Sequence, residues 1–175
     1  MKRTMLAVAA AAVGAGLTVA VLALPGSATQ RTAVGTSVST DATTTIRILT
    51  LGAAQKAAAT AVRNCSSRGF AVTAVVVDRD GVEIATLRAE QATGATVPVA
   101  RGKAYAAAGF RLPTSGLQEA ARTQPGLIGL PGFVILPGGE PITVGKQLVG
   151  GIGVSGAPSG DIDDMCAQAG LAAIG

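Results

Sequence analysis

Residues 138–164 read GGEPITVGKQLVGGIGVSGAPSGDIDD, and the order of glycines, β-branched residues and acids in this stretch decides the fold class. Ile142 to Val144 and Gln147 to Ser155 are strand-like runs separated by Gly145-Lys146, which predicts a hairpin. Ser159 is placed to cap a final helix whose first turn carries Asp161, Asp163 and Asp164, the sign that the helix dipole favours. Gly151, Gly153 and Gly156 satisfy G-x-G-x-x-G, yet that pattern cradles a dinucleotide only when a further strand and an acidic ribose ligand follow about 20 residues on. No such unit follows before Gly175, so these glycines are read as points of close backbone approach by a packed helix, a ligand or a second subunit. A P-loop fails too, because five residues separate Gly139 from Gly145 and Gln147 follows Lys146 where Ser or Thr is needed.

Upstream, Thr50 is placed to cap a helix from Leu51 to Arg68. Leu51, Ala54, Ala58, Val62 and Cys65 recur along one face of it, and Gly69 ends it. Phe70 to Val77 and Val82 to Leu87 flank Asp78-Arg79-Asp80-Gly81, a strong signal for an antiparallel hairpin. Helices are expected over Val99 to Phe110 and over Gly116 to Arg122, the latter capped by Ser115 with Gln118 three residues later. After a glycine- and proline-punctuated loop at Gly126 to Gly132, Phe133 to Leu136 reads as one more strand. The expected order is αββααβββα: an α/β (α+β) domain with a five-stranded, mainly antiparallel sheet and helices on its faces.

Hydrophobic residues make up 49% of the chain, but aromatics only 2% and Trp is absent, so the interior must be built from small side chains and closely spaced backbones. Met1-Lys2-Arg3, an uncharged run from Thr4 to Leu24 and the small residues Ser27 and Ala28 form the three parts of a secretory signal. A signal peptide over residues 1–28, a flexible Thr- and Ser-rich lead over 29–45 and a domain over 46–175 are therefore expected, with an extracytoplasmic location. The apolar run also slightly exceeds the ~20 residues of a membrane span, so an uncleaved anchor is the alternative. Loss of Lys2 and Arg3 would lower the formal charge from +4 to +2. With scattered basic residues and few aromatics, nothing reads as a nucleic-acid surface. Cys65 and Cys166 are the two cysteines; in an oxidising compartment they are a disulfide candidate, the alternative being two buried thiols.

The chain contains no histidine, which removes Ser-His-Asp and Cys-His nucleophiles, His-based zinc sites and the commonest haem ligand. No catalytic residue is assigned and an enzyme is not expected. Asp78 and Asp80 belong to a turn, where their side chains serve the backbone, and the acids near Asp161 lack the spacing of a calcium loop. Lys103, in the apolar helix ARGKAYAAAGF, is either a solvated side chain or a contact for an anionic ligand. Tyr105, the single tyrosine, is either a core or interface residue or an oxygen ligand to haem iron.

Four blocks in register, VVVDRDGVEIATLR, ARGKAYAAAGFRLPT, PGGEPI and QLVGGIGVSGAPSGDIDD, resemble the GlcG/HbpS family of small haem-binding domains over about Leu51 to Ile174. The exported form is most similar to the secreted HbpS-like members, which are described as interacting with a membrane sensor kinase. The resemblance implies a profilin-like fold, a homo-oligomer that is an octamer in characterised members, and haem bound at the surface or between subunits. It makes Thr114 or Tyr105 a candidate haem-iron ligand and Arg101, Lys103 and Arg111 candidate partners of the propionates. Relatives often carry Thr after the aromatic of the KAY motif, where this chain has Ala106. The expected function is therefore sequestering or sensing extracytoplasmic haem. A non-haem oligomeric interaction module of the same fold is the alternative, and an enzyme acting on a small organic acid stands behind both.

Overall fold

The computed structural model describes residues 38–175; the expected signal peptide, and the lead segment up to residue 37, lie outside the described residues. Residues 38–43 belong to a separate N-terminal unit and contain a 3-10 turn, Thr40–Ala42, capped by the Ser39 hydroxyl. Residues 44–175 form one compact unit. Its elements are α1 (Leu51–Ser66), β1 (Thr73–Asp78), β2 (Glu83–Arg88), α2 (Thr96–Phe110), α3 (Thr114–Ala120), β3 (Gly139–Val144), β4 (Gln147–Ser155) and α4 (Gly160–Ala172), with a 3-10 turn at Pro125–Gly129.

The sheet has four strands in the order β2-β1-β4-β3, every neighbouring pair antiparallel. The fifth strand expected at Phe133 to Leu136 does not form. Between Pro131 and Pro137 this segment leaves the sheet and lies on α2, where the Val134 amide donates to the Gly102 carbonyl at 3.2 Å. Ile135 and Phe133 pack with Ala106, Leu117 and Ala121. The apolar run thus buries its side chains against helices, an outcome that a short run cannot distinguish from a strand by pattern alone.

Element ends follow local chemistry, with several shifted: α1 stops at Ser66 rather than Arg68, β1 starts at Thr73 rather than Phe70, α3 stops at Ala120 rather than Arg122 and β3 starts at Gly139 rather than Ile142. Thr50 Oγ1 accepts from the Ala53 amide at 3.2 Å and opens α1. The Asp78 carboxylate accepts from the amides of Asp80 and Val82, both at 2.9 Å, and shapes the β1–β2 turn. α2 begins at Thr96 rather than Val99, because Pro98 falls in the first turn, where its missing N–H has no intrahelical partner to lose. α3 begins at Thr114 rather than Gly116, and Ser115 is not its cap.

Two layers cover the sheet. On one face α1 and α4 pack over Ala74, Val76, Ile152 and Val154, and a buried disulfide between Cys65 and Cys166 joins the two helices, with Cα atoms 5.7 Å apart. On the other face α2 lies on Val75, Val77 and Leu148. Here Gly151 and Gly153 let backbone meet backbone. A Cβ at Gly151 would stand 2.5 Å from the Ala104 carbonyl oxygen, and one at Gly153 would stand 2.5 Å from the Ala104 nitrogen and collide with the Ala100 carbonyl. Two of the three glycines that mimic a nucleotide motif are the seat of a helix, and the third, Gly156, sits against the backbone of Ala71 and Val72.

Candidate functional site

The residues singled out along α2 are carried to different sides of it. Arg101 and Tyr105, four residues apart and so on one side of the helix, face the β1–β2 hairpin. Arg101 grips the Glu83 carboxylate at 2.6 Å, and the Tyr105 ring lies against Gly81 and stacks on Phe133 with centroids 4.7 Å apart. Lys103 points the other way. Its ammonium donates to Asp163 Oδ2 at 2.7 Å and to the Val154 carbonyl at 2.9 Å, with 2% of the residue exposed. Arg111 is exposed at the end of α2 in a left-handed conformation with φ 57°. Thr114 is buried, and its hydroxyl accepts from the Gly139 amide at 2.8 Å.

Lys103 is thus not a solvated side chain, and Asp163 is not a simple first-turn acid. Asp163 Oδ1 also accepts from the Ala157 amide at 3.0 Å, and Asp164 accepts from the Gly138 amide at 3.1 Å. Burial pushes the Asp163 carboxyl above the ordinary range, while the hydrogen bond and charge of Lys103 draw it down. Gly138, at φ +117°, covers the pair: a Cβ there would lie 2.7 Å from Asp163 Cβ and 2.9 Å from Lys103 Nζ. Nearby, Glu140 is raised mainly by burial, and Gln168 donates to both Glu140 and Asp164. In contrast, the Thr86 hydroxyl holds Glu83 below its usual value, helped by Arg101. The partner of Lys103 had one weak signal in the sequence, a lysine in an alanine-rich helix that must bury its flanks; nothing local pointed to Asp163.

Two openings adjoin at Gln118 and Leu136. One is a polar cavity of about 400 Å³ with Lys103 and Asp163 in its wall and the loop from Ser155 to Asp161 around it. The other is an apolar groove of about 510 Å³ lined by Ala121, Ile128, Phe133, Val134, Ile135 and Leu136, with Gln118 and Arg122 as its polar groups. Behind the groove Tyr105, Phe133 and Phe110 form one aromatic cluster, three of the four aromatic residues in the chain. None of Arg101, Lys103, Tyr105, Arg111 and Thr114 is among the groove-lining residues. The groove leaves no mark of its own in the sequence, because its wall is a short apolar run with the pattern of a strand.

Several side chains hold the wall or the residues that follow it. Tyr105 supports Phe133. Thr114 ties down Gly139, and the Lys103–Asp163 pair sits beneath Gly138, just beyond Leu136 and Pro137. Among the described residues, no group of three or more His, Cys, Asp or Glu side chains is arranged to hold a metal ion, and no helix is long and apolar enough to cross a membrane.

Residues 49–172 match a family model described as "Haem degrading protein HbpS-like". Among solved structures, a double mutant of HbpS from Streptomyces reticuli is 40% identical, with a TM-score of 0.79 over 82% of this chain and 98% of that one. Protein ORFY from Klebsiella pneumoniae is 29% identical, with a TM-score of 0.69 over 76% of this chain and 94% of that one. A PduOC:heme complex is 28% identical, with a TM-score of 0.66 over 73% of this chain and 96% of that one. No curated protein sequence matches significantly. By the match of the family model across most of its length, joined to the agreement in fold with HbpS, this chain belongs to the HbpS-like family.

Proposed function

We propose that the protein is an exported haem-binding protein that lays the porphyrin in the apolar groove beside α3 and holds it outside the cytoplasm. The observation that carries this reading is the groove itself: about 510 Å³, walled by aliphatic and aromatic side chains, with an arginine at hand. That volume lies within the ~300–1,000 Å³ usual for small-molecule sites. Ile128 and Leu136 leave 68% and 52% of their surface to solvent, so a flat apolar ligand would remove apolar area from water at about 25 cal/mol per Å². The Arg122 guanidinium, now paired with exposed Glu119 at 2.8 Å, suits a propionate. When bound, haem would supply the iron chemistry; the protein's residues bury the ring, orient its carboxylates and exclude water from one face.

In this reading Tyr105, Lys103 and Thr114 position the groove wall rather than touch the ligand. The signal-like N-terminal sequence supports export. Further copies of the chain and a membrane sensor kinase are the partners that the resemblance suggests.

Haem degradation is the second reading, favoured by the description of the family. Titration of hemin into the purified protein, followed at the Soret band first alone and then with ascorbate under air or with hydrogen peroxide as the co-reactant that ring opening needs, separates the two. A saturable, red-shifted band that persists for hours, and that Leu136→Asp weakens at least about tenfold (~1.4 kcal/mol), is expected. A band that forms and then decays with release of iron would establish turnover instead. A spectrum matching hemin mixed with an unrelated protein would overturn both readings and leave an oligomeric interaction module.

A further inference from the structure

We infer that the groove recognises the tetrapyrrole ring and its carboxylates rather than the iron, so that iron-free porphyrin is a ligand in its own right. This rests on the haem-binding reading of the same groove and goes beyond it by naming the ligand class. The ground is the chemistry of the lining. Among the described residues that form the groove, none carries an imidazole, thiolate, thioether, phenol or carboxylate. The chain has no histidine, and both cysteines are consumed in a buried disulfide. Met165 lies on α4, outside the groove.

The two polar side chains that remain are poor iron ligands. Arg122 stays protonated and offers only donors, and Gln118 offers a neutral carboxamide. Neither of the two oxygen candidates from the sequence lines the groove. Tyr105 lies behind Phe133, on the side of Gly81 and Gly132. Thr114 is fully buried, with its hydroxyl accepting from the Gly139 amide; turning it toward a ligand would break the bond that holds the start of β3. What the groove does offer is contact area for the ring and one cation for a carboxylate. Those features are the same for a metal-free porphyrin as for haem.

The test compares hemin, protoporphyrin IX and protoporphyrin IX dimethyl ester on the full protein, using Soret absorbance for the first and porphyrin fluorescence for the others. Hemin and protoporphyrin IX are expected to bind with dissociation constants within about fivefold of each other (~1 kcal/mol). Arg122→Ala should weaken both acids by about threefold, the scale of an exposed ion pair, and leave the ester unchanged. Tyr105→Phe and Thr114→Ala should move the hemin and protoporphyrin affinities together, so the ratio remains readable even where a variant loosens the fold. Hemin binding a hundredfold or more tighter than protoporphyrin IX would overturn the inference while leaving the haem reading intact. Binding of neither compound would overturn the haem reading itself.

Discussion

The two faces of the sheet are covered by opposite means. On the α1/α4 face, ordinary side chains interdigitate: Ala57, Ala61, Val76, Ile152 and Val154 fill the space, and a disulfide fastens one helix to the other. On the α2 face Val75, Val77 and Leu148 also pack, but part of the contact has no side chain at all. Gly151 and Gly153 bring strand and helix backbones together, and the fastening is an ion pair, Lys103 with Asp163, that reaches from α2 to α4 around the end of the sheet. The first face combines that apolar packing with a covalent link that limits the unfolded chain. The second depends on close geometry and on a charge that has no replacement partner once buried. The apolar groove lies on the side of that second, geometry-dependent layer, so the site and the most exacting packing share α2 and the segment it supports.

Breaking the covalent fastening should have the largest effect. Cys65 and Cys166 are 101 residues apart in sequence, and closing a loop of that size stabilises by up to ~4.7 kcal/mol. The double variant Cys65→Ala/Cys166→Ala is expected to shift the urea midpoint downward by a corresponding amount, and added reductant should have no further effect on it. A midpoint equal to that of the oxidised parent would show that helix burial alone holds this face.

The ionic fastening comes next. Lys103→Met leaves the Asp163 carboxylate buried without its cation and should cost about 3–5 kcal/mol. Adding Asp163→Leu should recover most of that loss, since an apolar pair of similar volume carries no desolvation penalty. A double variant no better than the single one would mean that the pair acts through its bonds to Val154 and Ala157 rather than through charge. Because Gly138 and Leu136 lie just beyond the pair, Lys103→Met should also weaken hemin binding while the double variant restores it.

A smaller change sharpens the contrast. Gly153→Ala adds one methyl group against the backbone of Ala100 and Ala104, atoms that cannot rotate away. A loss of about 1–3 kcal/mol is expected, measured as a lower denaturant midpoint with an unchanged slope. An unaffected midpoint would show that α2 can lift from β4 freely, and the difference between the faces would disappear.

Much of this architecture was legible because it is written locally. The Asp-Gly hairpin, the Thr50 and Ser159 caps and the β3–β4 hairpin each depend on residues within a few positions of one another. The segment Phe133 to Leu136 was misread for the opposite reason: an apolar run states that it must be buried, not what will bury it, and here α2 and α3 do so instead of a sheet edge. The candidate residues on α2 were scattered by the helix itself. Positions 101, 103 and 105 look like neighbours in the chain, yet the turn of about 100° per residue sends Lys103 away from the other two.

From the amino acids alone follow the helices and hairpins, the small-residue character of the core and the family. Each reflects backbone preference or composition, and none requires knowledge of what lies across the fold. Only the tertiary structure decided that Lys103 meets Asp163 sixty residues away, that the sheet stops at four strands and that an apolar groove opens where a strand was expected. Those outcomes turn on burial and charge pairing, whose free energies belong to the pair of surfaces that meet and not to either segment by itself.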